Sequence, residues 1–466
     1  MKKKRHKIFK TVILCITVYI LITSIFLYLI PMDPQDPVAA ETFYGQSTGV
    51  DQALLVEDPR DSFARRVEVI RSARDHLDVV YHCVKDGETT DCLFAEILDA
   101  ADRGVKVRVM LDGAVGGLTG EHRNIDLALR SHPNIEYAEY NPISLLKPWT
   151  WNVRLHDKFI LADDQMMILG GRNIGDAYFE PPGYQDKVTH DRDVVILNPQ
   201  HSTDSVTYQL KEYMEKLWNA PETRICKRID EQKGLKEQER LKQISQKWQT
   251  EFPDFYLPQT PAQDLCVETR KVTLLTNPLN DFKTGPDIAV SVAGLLKQCE
   301  NIRIQTPYAT ANKKILGTLS ELAENGQVDY LTNSLASSPN YPAFSGYFSQ
   351  RKKFVDTGIR IHEYQSRDSI HGKSCTADER FSVIGSFNLD DRSIYIDTES
   401  VVVIDSEPFT QLFNERLDEL FAQSALVTEQ NCYSPDTATE ILPVSAGKKI
   451  LMGIASLFSR IFSFLV

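Results

Sequence analysis

The stretch RLHDKFILADDQMMILGGRN, residues 154–173, returns in altered form as SIHGKSCTADERFSVIGSFNLDDRS, residues 369–393. Laid over each other without gaps, His156 falls on His371, Lys158 on Lys373, Asp163 on Asp378, Gly170 on Gly385 and Asn173 on Asn388. Each copy closes a similar run of predicted elements. HLDVVYHCV reads as a strand. TDCLFAEILDAADRG reads as a helix with Asp91 as N-cap and Gly104 as its stop, and VKVRVMLD as the next strand. In the second half CENIRIQTPYA, KKILGTLSELAENGQ and VDYLTNS repeat that β-α-β order. A polar motif repeated at matching places in two βαβ patterns restricts the chain to two similar α/β halves. Two long copies do not make a solenoid, and 466 residues suffice for two or three domains.

Residues two apart on a strand share a face. His156 and Lys158 therefore point one way and Asp157 the other, and His371 and Lys373 pair likewise. FILADDQMMILGG and CTADERFSVIGS read as strand–turn–strand, which folds Gly170 and Asn173 back beside His156, and Gly385 and Asn388 back beside His371. Each half then supplies an imidazole, an ammonium and an amide. Two facing sets suit a phosphoryl group. Lys158, Lys373, Asn173 and Asn388 would hold its oxygens, one neutral histidine would attack phosphorus, and the other would donate a proton to the leaving alcohol. Asp163 and Asp378 complete the motif, and their turn positions suit structural support better than proton transfer. Downstream, DRDVVI at Asp191 matches ESVVVI at Glu399, with seven fewer residues in the second interval. Each carboxylate is expected to bond the second nitrogen of its own half's histidine and fix its tautomer. The chemistry needs no metal and no cofactor, and the sequence has no cluster at metal-ligand spacing.

The paired H-x-K-x4-D resembles the mark of the phospholipase D superfamily, over residues 62–421. GGRNIGDAYF, LTNSLAS and GSFNLDDRS look most like the bacterial cardiolipin synthase branch, especially its C-type members. The resemblance implies two phospholipase D-type α/β domains sharing one active site, and a covalent phosphatidyl-histidine. It also implies phosphatidyl transfer to the hydroxyl of phosphatidylglycerol, with His156 as nucleophile and His371 as acid and base. His156, Lys158, Asp163, His371, Lys373 and Asp378 are the catalytic set so implied. Membrane phospholipids are the expected partners, phosphatidylglycerol first and phosphatidylethanolamine as a further candidate. A hydrolase releasing phosphatidic acid, a membrane-tethered nuclease and a non-enzymatic lipid-headgroup scaffold are the competing readings. The net charge of −12 argues against nucleic acid, and both motif histidines are present, which argues against a scaffold.

The flanks bear on location. MKKKRHKIFK carries six Lys and Arg and no acid, and residues 11–30 carry no charge at all. Twenty residues make roughly 30 Å of helix, one hydrocarbon thickness. An uncleaved anchor is expected, with the N-terminus in the cytoplasm and the catalytic domains outside. A cleaved signal is the alternative. At the other end, residues 447–466 place Gly453, Ser456, Arg460 and Ser463 on one stripe. Ile454, Leu457, Phe458, Ile461, Phe462 and Leu465 lie on the opposite side, the pattern of an in-plane membrane helix or of one docked on the protein's own core. The expected organisation is flank, anchor and linker over 1–40, a first domain over 41–201 and a charged, solvated connecting segment over 202–265. A second domain over 266–430 and a linker with the amphipathic helix over 431–466 complete it. Cys83 with Cys92, or Cys226 with Cys266, are candidate bridges beside the alternative of free thiols. His82 reads either as a satisfied buried histidine or as part of the cleft wall, and Tyr308 is a candidate for the cleft wall. The aromatic run before the first motif, with Trp149 and Trp151, reads either as a lipid-facing lip or as a buried loop.

Overall fold

Apolar β-branched runs make the strands and amphipathic runs the helices that cover them. The computed structural model describes residues 2–25, 28, 30, 32–118, 122–280, 282–310 and 312–461. The first half contains β1 (Gln52–Val56), β2 (His76–Tyr81), β3 (Lys106–Asp112), β4 (Ile135–Tyr140), β5 (Phe159–Ala162), β6 (Met166–Gly170), β7 (Thr189–His190), β8 (Asp193–Leu197) and β9 (Thr223–Ile225). The second contains β10 (Val267–Glu268), β11 (Lys271–Thr276), β12 (Asn301–Gln305), β13 (Gln327–Asn333), β14 (Arg360–Tyr364), β15 (Ser369–Ile370), β16 (Lys373–Ala377), β17 (Phe381–Gly385), β18 (Ser400–Asp405) and β19 (Ser424–Leu426).

Among the described residues the two large sheets run β10-β1-β8-β6-β5-β2-β3-β4-β9 and β11-β18-β17-β16-β12-β13-β14-β19. In each, three parallel strands (β2, β3, β4 and β12, β13, β14) sit beside the antiparallel hairpin that carries the motif, β5–β6 or β16–β17. The predicted duplication is thus a duplication of sheet topology. The sheets share a core in which Val80, Phe159, Leu169 and Ile196 of the first meet Leu331, Ile384, Val402 and Ile404 of the second. That contact buries the motif strands between the halves, where burial of apolar area is the main stabilising term.

Several expectations are corrected. The charged stretch is no solvated connector. Its helix Val206–Trp218 buries Leu210, Tyr213, Met214 and Leu217 in the shared core, and β9 extends the first sheet. The polar helix Leu235–Glu251 packs on Glu88–Asp102 and Arg123–Ser131 through Leu241, Ser245 and Trp248. Its apolar residues are few but fall on one stripe, which is all that docking requires. The helix Glu88–Asp102 starts at Gly87, not Asp91. Asp176 caps it from another segment, accepting from the backbone N–H of Glu88 at 3.2 Å and of Thr89 at 3.0 Å. All eight cysteines are free thiols.

The N-terminal helix runs Lys2–Ser24, earlier than the uncharged window predicted. Among the described residues one helix is long and apolar enough to cross a membrane, over Lys4–Thr23. Beyond that helix Tyr28 is buried against the catalytic body and its hydroxyl donates to the Trp149 carbonyl. At the other end the helix Ala446–Ile461 packs on Tyr341–Val355, burying Met452, Ser456 and Ser459. Phe462, Ser463 and Leu465 of the predicted stripe pattern, and the side chains of Phe458, Arg460 and Ile461, lie outside the described residues.

Candidate active site

The two motifs enter the site on short irregular strands ahead of β5 and β16. Alternation holds as expected. Asp157 is buried on the side away from the site, accepting from Thr398 Oγ1 and, at 3.2 Å, from Tyr213. Lys158 and Lys373 are buried beside their histidines. Lys158 Nζ donates to the His156 carbonyl, and Lys373 Nζ lies 2.8 and 3.1 Å from the two ring nitrogens of His371. The hairpin returns as predicted: the Gly170 N–H donates to the Lys158 carbonyl at 3.2 Å, and Lys373 registers with Gly385.

The carboxylates are exchanged between the halves. His156 Nδ1 bonds Glu399 Oε1 at 2.8 Å, and His371 Nδ1 bonds Asp191 Oδ2 at 2.6 Å. The expectation that each serves its own histidine is therefore corrected. The reason lies in the backbone. The His156 N–H donates to the Thr398 carbonyl at 3.2 Å and the His371 N–H to the His190 carbonyl at 2.6 Å, with β15 parallel to β7. Each motif strand thus lies against the segment that ends in the other half's carboxylate. Close approach also needs room. A Cβ on Gly171 would stand 2.3 Å from Asp191 Oδ1, whereas Ser386, its counterpart, donates its hydroxyl to Glu399.

Asp163 and Asp378 are not at the reacting centre. Each sits in the hairpin turn with φ of 50°, seven residues beyond its histidine, on the order of 20 Å along an extended chain. Asp163 accepts from the N–H groups of Arg74, of Asp75 at 2.9 Å and of His76 at 2.7 Å. Asp378 accepts from those of Glu300 at 2.9 Å and Asn301 at 2.8 Å. Both hold the entry of a central strand. Asn173 and Asn388 do reach the site. Asn173 Nδ2 donates to Tyr178 at 3.1 Å, and the amide oxygens of both asparagines are buried with no hydrogen-bond partner. A buried amide so placed is open to a ligand.

A cavity of about 480 Å³ opens on His156, with His82, Trp151, Arg154, Tyr308, Asn388 and Arg392 in its wall. His82 serves as both readings of it proposed: it lines the cavity, its Nδ1 bonds the Leu155 carbonyl at 2.7 Å, and its ring meets that of His156 edge-on at 4.9 Å. The rings of Tyr308 and Tyr178 flank His371 at 6.0 and 5.9 Å. Arg154, Arg392 and Tyr178 are missed by motif reasoning. Arg154 pairs with Asp112 at 3.1 Å and Arg392 with Asp397 at 2.9 Å. Their signal was adjacency to the two motifs, which does not separate a site arginine from any other.

Burial, with the two lysines beside it, lowers both histidines, His371 to about 4 and His156 well below the ordinary imidazole range. Their carboxylates differ. Burial pushes Glu399 up to about 7, while the Lys373 ammonium and His371 hold Asp191 well below the usual carboxylate range, against the opposing effect of burial. Burial also lowers Lys373 to about 7. Asp191, the partner of His371, therefore ionises more readily than Glu399, the partner of His156.

The model of the family described as "Cardiolipin synthase, PLD-like domain" matches residues 67–218 and 293–421, one match in each half. The chain belongs to this phospholipase D-like family. It is 28% identical to cardiolipin synthase C of Escherichia coli K12, over 78% of this chain and 83% of that one. It is 26% identical to an uncharacterized protein of Helicobacter pylori J99, over 86% and 88%. A crystal structure of phosphatidylserine synthase from Haemophilus influenzae Rd KW20 shares the fold, with a TM-score of 0.62 at 14% identity, over 92% of this chain and 99% of that one. The enzyme is a phosphatidyltransferase of the phospholipase D type, and its substrates are membrane phospholipids.

Proposed function

We propose that the enzyme is a cardiolipin synthase that moves a phosphatidyl group between two phosphatidylglycerol molecules through a histidine-bound intermediate. The observation that carries this reading is the exchanged pairing. Each imidazole is fixed by a carboxylate at Nδ1, so each presents Nε2 to one site that also holds Lys158, Lys373 and the amides of Asn173 and Asn388. His156, a buried imidazole held neutral by burial and the lysines beside it, is the nucleophile. Its Nε2 attacks phosphorus, the P–O bond to glycerol breaks, and His371 gives its Nε2 proton to the glycerol oxygen. The hydroxyl of the second phosphatidylglycerol then returns a proton to His371 as its oxygen attacks phosphorus and the P–N bond breaks. The phosphate anion itself offsets the two lysines and raises His371 enough to carry the proton, helped by ionised Asp191. The lysines and amides stabilise the charge that builds on the phosphoryl oxygens. Phosphatidylethanolamine is a second candidate donor, since the groups assigned to the motif would hold the phosphate and not the alcohol.

Lipid mass spectrometry tests the reading. Wild type in vesicles of phosphatidylglycerol and phosphatidylethanolamine should make cardiolipin, and His156→Ala and His371→Ala should make none. Phosphatidic acid as the sole product would move the assignment to a hydrolase. Absence of any lipid product from folded wild type, with turnover of single-stranded DNA, would move it to a nuclease.

The basic flank of the N-terminal helix supports a cytoplasmic N-terminus and catalytic halves outside the cytoplasm. A C-terminal tag should be cleaved by protease added to intact cells, and protection would reverse the orientation.

A further inference from the structure

Tyr28, just past the N-terminal helix, is 3% exposed and donates its hydroxyl to the carbonyl of Trp149. Lys283 Nζ donates to the Tyr28 carbonyl at 2.9 Å and to that of Ile30. The N-terminal helix itself packs on the turn Pro148–Thr150. This turn leads into the cavity wall: Trp151 lines the cavity, and the Asn152 carbonyl accepts from Arg392, another wall residue, at 2.8 Å. The helix able to cross a membrane is thus tied to the rim of the catalytic cavity.

The same rim carries unpaired apolar surface. Leu145 and Leu146 are each 84% exposed, and Ile143 of the same loop and the wall residue Val115 are exposed too. The loop is held and not loose, because Trp151 Nε1 donates to the Ser144 carbonyl at 2.6 Å. Pro342 and Ala343 at the start of helix Tyr341–Val355 also line the cavity, and Ala446–Ile461 packs on that helix. Ala446–Ile461 buries Met452, Ser456 and Ser459 and leaves Ile450, Leu451, Ile454 and Leu457 exposed, an apolar face that docking on the protein's own core leaves uncovered. Lys147 and Lys449 stand exposed at these two apolar edges, as expected beside anionic headgroups.

We propose that the cavity opens directly onto the bilayer, with Leu145, Leu146 and the outer face of Ala446–Ile461 inserted in the leaflet next to the N-terminal helix. Phospholipids then reach the histidines by moving sideways out of the membrane, without their acyl chains crossing water. The acyl chains stay in the leaflet while the headgroup enters the polar cavity. The identity of the lipid rests on the transferase reading; the insertion does not.

Two measurements test the two separately. The full chain is reconstituted in phosphatidylcholine nanodiscs, with or without chain-brominated phosphatidylcholine. Added tryptophans at Leu146→Trp and Ile454→Trp should be quenched by the bromines and shielded from iodide. Quenching by iodide alone at both positions would overturn the proposal. Leu145→Glu with Leu146→Glu should lower turnover of long-chain phosphatidylglycerol in the disc at least tenfold, and leave turnover of monomeric dihexanoyl-phosphatidylglycerol unchanged. Equal turnover of the long-chain lipid by variant and wild type would also overturn it. If wild type turns over neither lipid, the substrate assignment fails, and the quenching result alone decides insertion.

Discussion

His156 and His371 carry the same side chain in unlike surroundings, and the roles proposed for them rest on that difference. His371 faces an ionised carboxylate and His156 a carboxyl pushed up to about 7. A leaving group that needs no proton should separate the two. With a phosphatidyl-p-nitrophenol ester, His371→Ala should release p-nitrophenol in a single burst equal to the enzyme present and retain a phosphatidyl-histidine at residue 156. His156→Ala should give no burst. A burst from His156→Ala would exchange the roles. Lys373 carries a second consequence. Lowered to about 7, it is an ammonium below that pH and neutral above it. Affinity for an unreactive phosphonate analogue of the lipid should therefore weaken as pH rises through 7, by up to about tenfold per unit. Lys373→Arg, charged throughout, should flatten the profile, whatever it costs in affinity at pH 6. Calorimetric titration reads both.

The hairpins β5–β6 and β16–β17 show what an element can disclose in sequence. Strand alternation placed Asp157 away from His156, and the turn position of Asp163 and Asp378 pointed to support over proton transfer. Both follow from local geometry. Asp163→Ala should leave the N–H groups of Asp75 and His76 without their charged acceptor, lowering stability by about 2 kcal/mol, with kcat of the folded enzyme unchanged. Denaturant unfolding followed by assay at low denaturant checks this, and a large loss of kcat at unchanged stability would return Asp163 to the chemistry. What the sequence hid was long-range. Matching spacing made Asp191 the natural partner of His156, but partner choice depends on how β15 lies along β7 and Leu155 against Thr398. No pattern within either half encodes that pairing. The charged helix Leu235–Glu251 was misleading for a similar reason, since three residues at helical spacing in a polar run are a weak local signal and a sufficient docking stripe.

Across the whole molecule, the exchange of Asp191 and Glu399 means that neither half holds a complete site, so catalysis depends on how the halves are aligned. Arg192 is the residue best placed to set that alignment. Buried in the first half next to Asp191, it pairs with Glu57 and reaches across to Gln305 at 2.7 Å and Ser374 at 2.6 Å, with its guanidinium 4.1 Å from the ring of Phe413. A planar fork serves those partners together and an ammonium does not. Arg192→Met should strand Glu57, Gln305 and Ser374, and cost about 3 kcal/mol. It should also shift Asp191 against His371. The lysines and amides proposed to bind the phosphate keep their places, so kcat for monomeric short-chain lipid should fall while KM holds, and Arg192→Lys should restore little of either stability or kcat. Stability and kcat are read on the same preparations. Loss of stability with kcat intact would mean that Asp191 stays aligned without Arg192, and that the shared apolar core between the sheets fixes the two halves by itself.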